Sequence, residues 1–240
     1  MQLPNLKNNF LAFILVAIAS FSSSVLTACS TTSSKNQSQA QNTTTTATDT
    51  INKQPMNHNI GMHHGSGMNH SMAMDLGAAD ANYDLRFVDA MILHHQGAVE
   101  MANDAQQKSK RPEIKKLADD IIKAQNQEIT QMKKWRTAWY PKAGDKPIAY
   151  DAQQNKTVQM SSAQMQAMMM NMDLGAADTE FDLRFINAMI PHHEGAVTMA
   201  KDALRKSKRP EIKNLAQEII KAQNTEIKQM KQWRKAWYNK

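Results

Sequence analysis

Apolar residues recur every three or four positions from about Ala81 to Ser109, and again from Pro112 to about Trp139. That is the period of a helix with one face against a core. Pro112 suits the first turn of the second helix, and the pattern stops before Pro141. The pattern then returns. Met72–Tyr140 aligns without gaps to Met170–Tyr238 at an offset of 98, with 50 of 69 positions identical. Two copies of so long a unit point to tandem duplication of one folding unit rather than a solenoid. Each copy predicts a helical hairpin with arms roughly 40 Å long. Four apolar stripes are buried most simply in an all-α four-helix bundle made of two tandem hairpins. The repeats then occupy 75–140 and 170–240, and residues 141–169 read as a linker.

The stripes have polar centres. At 100° per residue, Asp84, Phe87, Met91, His94, His95, Ala98 and Met101 fall within an arc of about 120°. On the second helix Gln125, Glu128 and Met132 share a stripe with Ile114, Leu117, Ile121 and Trp135. A turn near Lys110 brings Gln125 and Glu128 level with His94 and His95 inside the bundle. Burying such groups is costly unless they find partners. A neutral imidazole held by Glu or Gln through one nitrogen can offer the other to a metal. The candidate ligands are therefore Met91, His94, His95, Met101 and Met132, with Asp84, Gln125 and Glu128 behind them. The second copy repeats them as Met189, His192, His193, Met199 and Met230, with Asp182, Gln223 and Glu226. Met at helical spacing also serves plain core packing, and an inward His can be satisfied by a hydrogen bond alone. The distribution of His favours metal: all eight lie in the two His-His pairs or in one short tract.

That tract, residues 56–74, holds Met56, His58, Met62, His63, His64, Met68, His70, Met72 and Met74, with Gly, Ser and Asn between them. It has no amphipathic pattern, so core packing does not account for its Met. Thioether favours Cu(I), and imidazole suits copper, zinc and nickel. The tract reads as a metal-binding segment that works independently of the bundle. A second Met cluster, Met160, Met165, Met168, Met169, Met170 and Met172, lacks His. It reads equally as a thioether segment or as a lead-in helix packed on the bundle.

Lys7 precedes an apolar run from Phe10 to Ala19, too short to span a bilayer as a helix but right for a signal peptide. Leu26-Thr27-Ala28-Cys29 resembles the lipobox of bacterial lipoproteins. The resemblance implies removal of residues 1–28 and lipidation of Cys29. Residues 29–55, rich in Ser, Thr, Gln and Asn, then form a disordered tether. Ser30 resembles outer-membrane sorting signals, which favours the outer membrane or periplasmic face over the inner membrane. A single Cys excludes a disulfide framework and a thiolate zinc site within one chain. The net charge of +7 comes from Lys alternating with Glu, Asp and Gln along the helices. This describes solvated faces, not a nucleic-acid site.

Asp84-x-x-Phe87-x-x-x-Met91-Ile92-x-His94-His95-x-x-Ala98-Val99-x-Met101-Ala102, followed by Gln125-x-x-Glu128-Ile129-x-x-Met132, resembles domain of unknown function family 305. Asp182, Phe185, Met189, His192, His193, Met199, Gln223, Glu226 and Met230 carry the pattern again. The resemblance implies a ferritin-like helical bundle. It also implies a periplasmic or secreted protein that binds Cu(I) and Ag(I) through Met and His and supports copper tolerance. The family often has Pro directly before His-His; Pro191 fits and Leu93 does not. Pro191 removes a helical hydrogen bond, so the second His pair is expected at a kink, with the two bundle sites unequal.

The resulting expectation is an extracytoplasmic, lipid-anchored protein that sequesters or transfers Cu(I), with Cu(II) or Ag(I) as further ligands, and is not an enzyme. Its partners would be the metal ion, the membrane and a copper-handling protein, without nucleic acid. Two other classes stay open. A ferritin-like di-metal oxidase usually carries Glu-x-x-His motifs, and neither Glu100 nor Glu128 has His three residues later. A helical envelope lipoprotein without metal would use the His pairs only as buried polar contacts.

Overall fold

The computed structural model describes residues 74–240. The expected signal peptide, Cys29, the tether and all of the Met/His tract except Met74 lie outside the described residues. The elements are α1 (Tyr83–Lys108), α2 (Pro112–Trp139), β1 (Ile148–Asp151), β2 (Lys156–Gln159), α3 (Ser162–Met169), α4 (Phe181–Lys206) and α5 (Pro210–Tyr238). Pro112 and Pro210 open α2 and α5, where a missing N–H costs nothing because the first turn has no helical acceptor for it. No described helix is long and apolar enough to cross a membrane.

Each repeat is a hairpin, α1 on α2 and α4 on α5, and the hairpins meet through α1 against α4. The four long helices make the expected bundle. The two copies sit head to tail across this seam. The Tyr83 hydroxyl, at the start of α1, donates to Asp202 Oδ2 near the end of α4 at 2.9 Å. Lys206 Nζ donates to the Gly77 carbonyl at 2.7 Å, and Lys108 Nζ to the Gly175 carbonyl at 2.8 Å. Arg111 lies 3.4 Å from Asp182 with its guanidinium 4.2 Å above the Trp237 ring. Arg209 makes the matching pair with Asp84 and Trp139 at the same two distances. Asp84 and Asp182 therefore clamp one hairpin's turn to the other. They do not stand behind the His pairs, as the shared helical arc had implied: ten residues of helix put Asp84 roughly 15 Å along the axis from His94.

The segment read as a linker is structured. β1 and β2 pair antiparallel, Ile148 opposite Gln159 and Asp151 opposite Lys156. Asp89, buried in α1, holds this hairpin: it accepts from the Ile148 N–H at 3.0 Å and from Arg136 Nε at 2.6 Å. Burial raises the Asp89 carboxyl above the usual carboxylate range, although Arg136 and the Ile148 amide pull it back. The second copy has Asn187 there, and no described strand pair is attached to it. Arg86 is fully buried beneath the same hairpin, donating to the Leu76 and Ala78 carbonyls and to Thr157 Oγ1. Four-residue strands give too short an alternation to register as a period.

Ser161 caps α3 through a reciprocal pair with Gln164, and Met170 in the left-handed region ends it. Of the two readings of this Met cluster, the lead-in helix is the one seen. Met160 and Met168 are buried in the core, Met165 packs against it, and Met172 is 61% exposed. α4 runs without a break through Pro191, which lies on its exposed side. Asn187, whose carbonyl loses its helical donor to Pro191, is likewise an exposed residue.

Candidate metal centre

All four paired histidines are buried, as are Met91, Met101, Met132, Met189, Met199 and Met230. Each hairpin uses its second histidine in the same way. His95 Nε2 lies 2.6 Å from Glu128 Oε2, and His193 Nε2 lies 2.6 Å from Glu226 Oε2. A carboxylate can only accept, so in a neutral ring these bonds place the proton on Nε2 and leave Nδ1 with the lone pair. His95 Nδ1 and His193 Nδ1 are buried and meet no hydrogen-bond partner among the described residues; nor do Gln125 Oε1 and Gln223 Oε1. A buried acceptor nitrogen, oriented by a carboxylate, is what a metal-ligating imidazole requires.

The methionines divide differently from their order in the chain. One apolar cluster holds Met91 and Met132 of the first copy with Met199 of the second. The other holds Met189 and Met230 with Met101. Met101 and Met199 thus join the opposite repeat's methionines, because the head-to-tail seam carries the far end of α1 to the near end of α4. Helical angles within one copy do not contain that information. Among the described residues, no three His, Cys, Asp or Glu side chains converge as a ligand set. Among the described residues, the carboxylate-rich donor set of a di-metal oxidase is therefore not assembled.

The first histidines meet on the seam. His94 faces its own repeat counterpart, His192, with ring centroids 3.9 Å apart and planes tilted by 51°. His192 Nε2 donates to the Met169 carbonyl at 3.0 Å. Two glycines, each three residues after one of these histidines, leave room for chain packed beside them. A Cβ on Gly97 would collide with the Met169 carbonyl, and one on Gly195 with the Met74 methyl group. Met74, the last residue of the Met/His tract, is therefore part of the bundle wall beside His94. The sequence carried a signal for this: a helical Gly costs about 1 kcal/mol against Ala, yet both copies keep one on the histidine face. Gly97→Ala should accordingly destabilise the fold by about 1–3 kcal/mol despite better helix propensity, because backbone has to move. Thermal unfolding checks this; a rise in Tm would mean that α3 shifts freely.

Comparison with known proteins places this geometry. CopM in its Cu(I)-bound form is 40% identical, with a TM-score of 0.51, over 65% of this chain and 97% of CopM. CopM in its Cu(II)-bound form is 39% identical, with a TM-score of 0.52, over 65% and 98%. A silver-bound form of CopM is 38% identical, with a TM-score of 0.51, over 65% and 97%. A curated relative, uncharacterized protein L153 of Acanthamoeba polyphaga mimivirus, is 47% identical over 49 residues. The match spans about a third of that protein's length, 32%, and 20% of this chain. The sequence pattern of the family described as Domain of unknown function (DUF305) matches residues 22–136 and 84–234. Two overlapping matches to the family pattern, which together span most of the chain, and a bundle shared with CopM make the chain a member of the DUF305 family.

Proposed function

We propose that this protein binds copper outside the cytoplasm, holding Cu(I), and also Ag(I) or Cu(II), on Met and His ligands. It sequesters or passes on the metal and performs no catalysis. The observation that carries the reading is the pair of carboxylate-held histidines whose lone-pair nitrogens are buried in a methionine-rich core. The likeness to CopM, solved with Cu(I), Cu(II) and silver, supports the same chemistry. Candidate ligands are Met91, His94, His95, Met101 and Met132 with their counterparts in the second copy, joined by the Met and His of residues 56–74. A lipid on Cys29 would hold the bundle at the outer membrane or periplasmic face, where the protein contributes to copper tolerance with a copper-handling partner.

Metal analysis after purification under reducing conditions tests the reading. Bound Cu(I) or Ag(I) supports it, iron would favour a di-metal oxidase, and no metal would leave a structural envelope protein. The anchor is tested separately: Cys29→Ala should leave unprocessed precursor or release soluble protein. Unchanged mobility and membrane fractionation would defeat that part.

A further inference from the structure

We propose that a single soft-metal site lies on the seam between the two repeats, shared by His94, His192 and the thioether of Met74. The inference rests on the copper-binding reading and sharpens it, because it joins ligands from both copies and from the tract in one site. Duplication followed by head-to-tail packing set His94 against its own counterpart, so the two rings approach a common point from opposite hairpins. Both rings are buried. At 3.9 Å between centroids no ion fits between the ring faces. The ion sits at the ring edges, reached by a small rotation about the soft terminal torsion of one imidazole.

Met74 marks the edge. A Cβ placed on Gly195 would lie 3.1 Å from His94 Nε2 and 3.2 Å from Met74 Sδ, so the two donor atoms flank one notch, which the Met74 methyl group itself fills. The corresponding notch at Gly97 is filled by the Met169 carbonyl, which takes the His192 Nε2–H. That bond leaves Nδ1 as the lone-pair nitrogen of a neutral His192 ring. At the Gly195 notch His94 Nε2 is joined by a thioether, a good ligand for a soft monovalent ion. Two imidazoles and one thioether suit Cu(I) or Ag(I), and the third ligand is contiguous with the Met/His tract.

The full chain is titrated with Cu(I) and with Ag(I) against a chromophoric chelator, for the wild type, His94→Gln, His192→Gln, the double variant and Met74→Leu. Each single His variant should lose the same one equivalent, and the double variant should lose no more. Met74→Leu, which keeps volume and apolarity, should weaken that equivalent by about tenfold or more with helix content unchanged. In the wild type, the ring nitrogen resonances of His94 and His192 should shift together in one step on adding Ag(I). That measurement holds even where a His variant misfolds. Loss of two equivalents in the double variant, or separate titration of the two rings, overturns the shared site. So does full affinity in Met74→Leu; in each of these cases bound copper elsewhere leaves the proposed function standing. A chain that binds neither ion overturns both.

Discussion

Replacing Met91, Met101, Met189 and Met199 together with Leu should cut Cu(I) and Ag(I) affinity by about a hundredfold or more, while the bundle stays folded. All four are buried, two in each apolar cluster. Met and Leu have similar volume and polarity, and such exchanges usually cost under about 1.5 kcal/mol each. Packing and ligation therefore separate: Leu fills the space but has no lone pair to give a metal. The measurements are competition with a Cu(I) chelator and thermal unfolding on the same samples. Full copper binding by the Leu variant would return these residues to core packing. The response to acid gives a second handle, because protons compete for imidazole nitrogen but not for thioether sulfur. Wild-type affinity should fall in acid without vanishing, the methionine ligands carrying the remainder.

Glu128→Leu combined with Glu226→Leu should damage both stability and metal binding. Each carboxylate accepts from a fully buried imidazole at 2.6 Å and is itself largely covered, 18% and 19% exposed. Without it a ring N–H is stranded in the core at a cost of about 1–3 kcal/mol per site. Two such losses correspond to a Tm decrease on the order of ten degrees for a domain of this size. Metal affinity should fall by about 10- to 100-fold as well, because the carboxylate sets the tautomer and the ring orientation. Glu→Gln at both positions separates the effects. It keeps an acceptor oxygen and most of the stability, but loses the charge that makes the imidazole a better donor. An unchanged Tm in the Leu pair would mean that the histidines find other acceptors.

The internal repeat, the four long helices and the meeting of His95 with Glu128 were legible along the chain. Each depends on periodicity, on an identity at fixed offset, or on a turn bracketed by Ser109 and Pro112. The β-hairpin was not legible, since its strands are four residues long and are held by Asp89 and Arg86 from a distant helix. Asp84 and Asp182 were misplaced for a related reason. Their angular position puts them on the histidine stripe, but only the opposite hairpin supplies Arg209 and Arg111, the partners that hold them far along the helix from the histidines.

By itself the sequence determined the chemistry and the unit of folding: thioether and imidazole without usable thiols in the bundle, on a hairpin written twice. Local spacing controls which residues share a helical face and which face its hairpin partner, because turn length leaves little freedom there. Tertiary structure alone decided how the two copies meet. Nothing in a repeat says whether its twin packs in parallel or head to tail, yet that choice moves Met101 and Met199 into the opposite cluster. It also sets His94 against His192 and opens the Gly195 notch to Met74. Contacts between repeats depend on the sum of many weak surface fits along α1 and α4, and no single spacing in the chain encodes that sum.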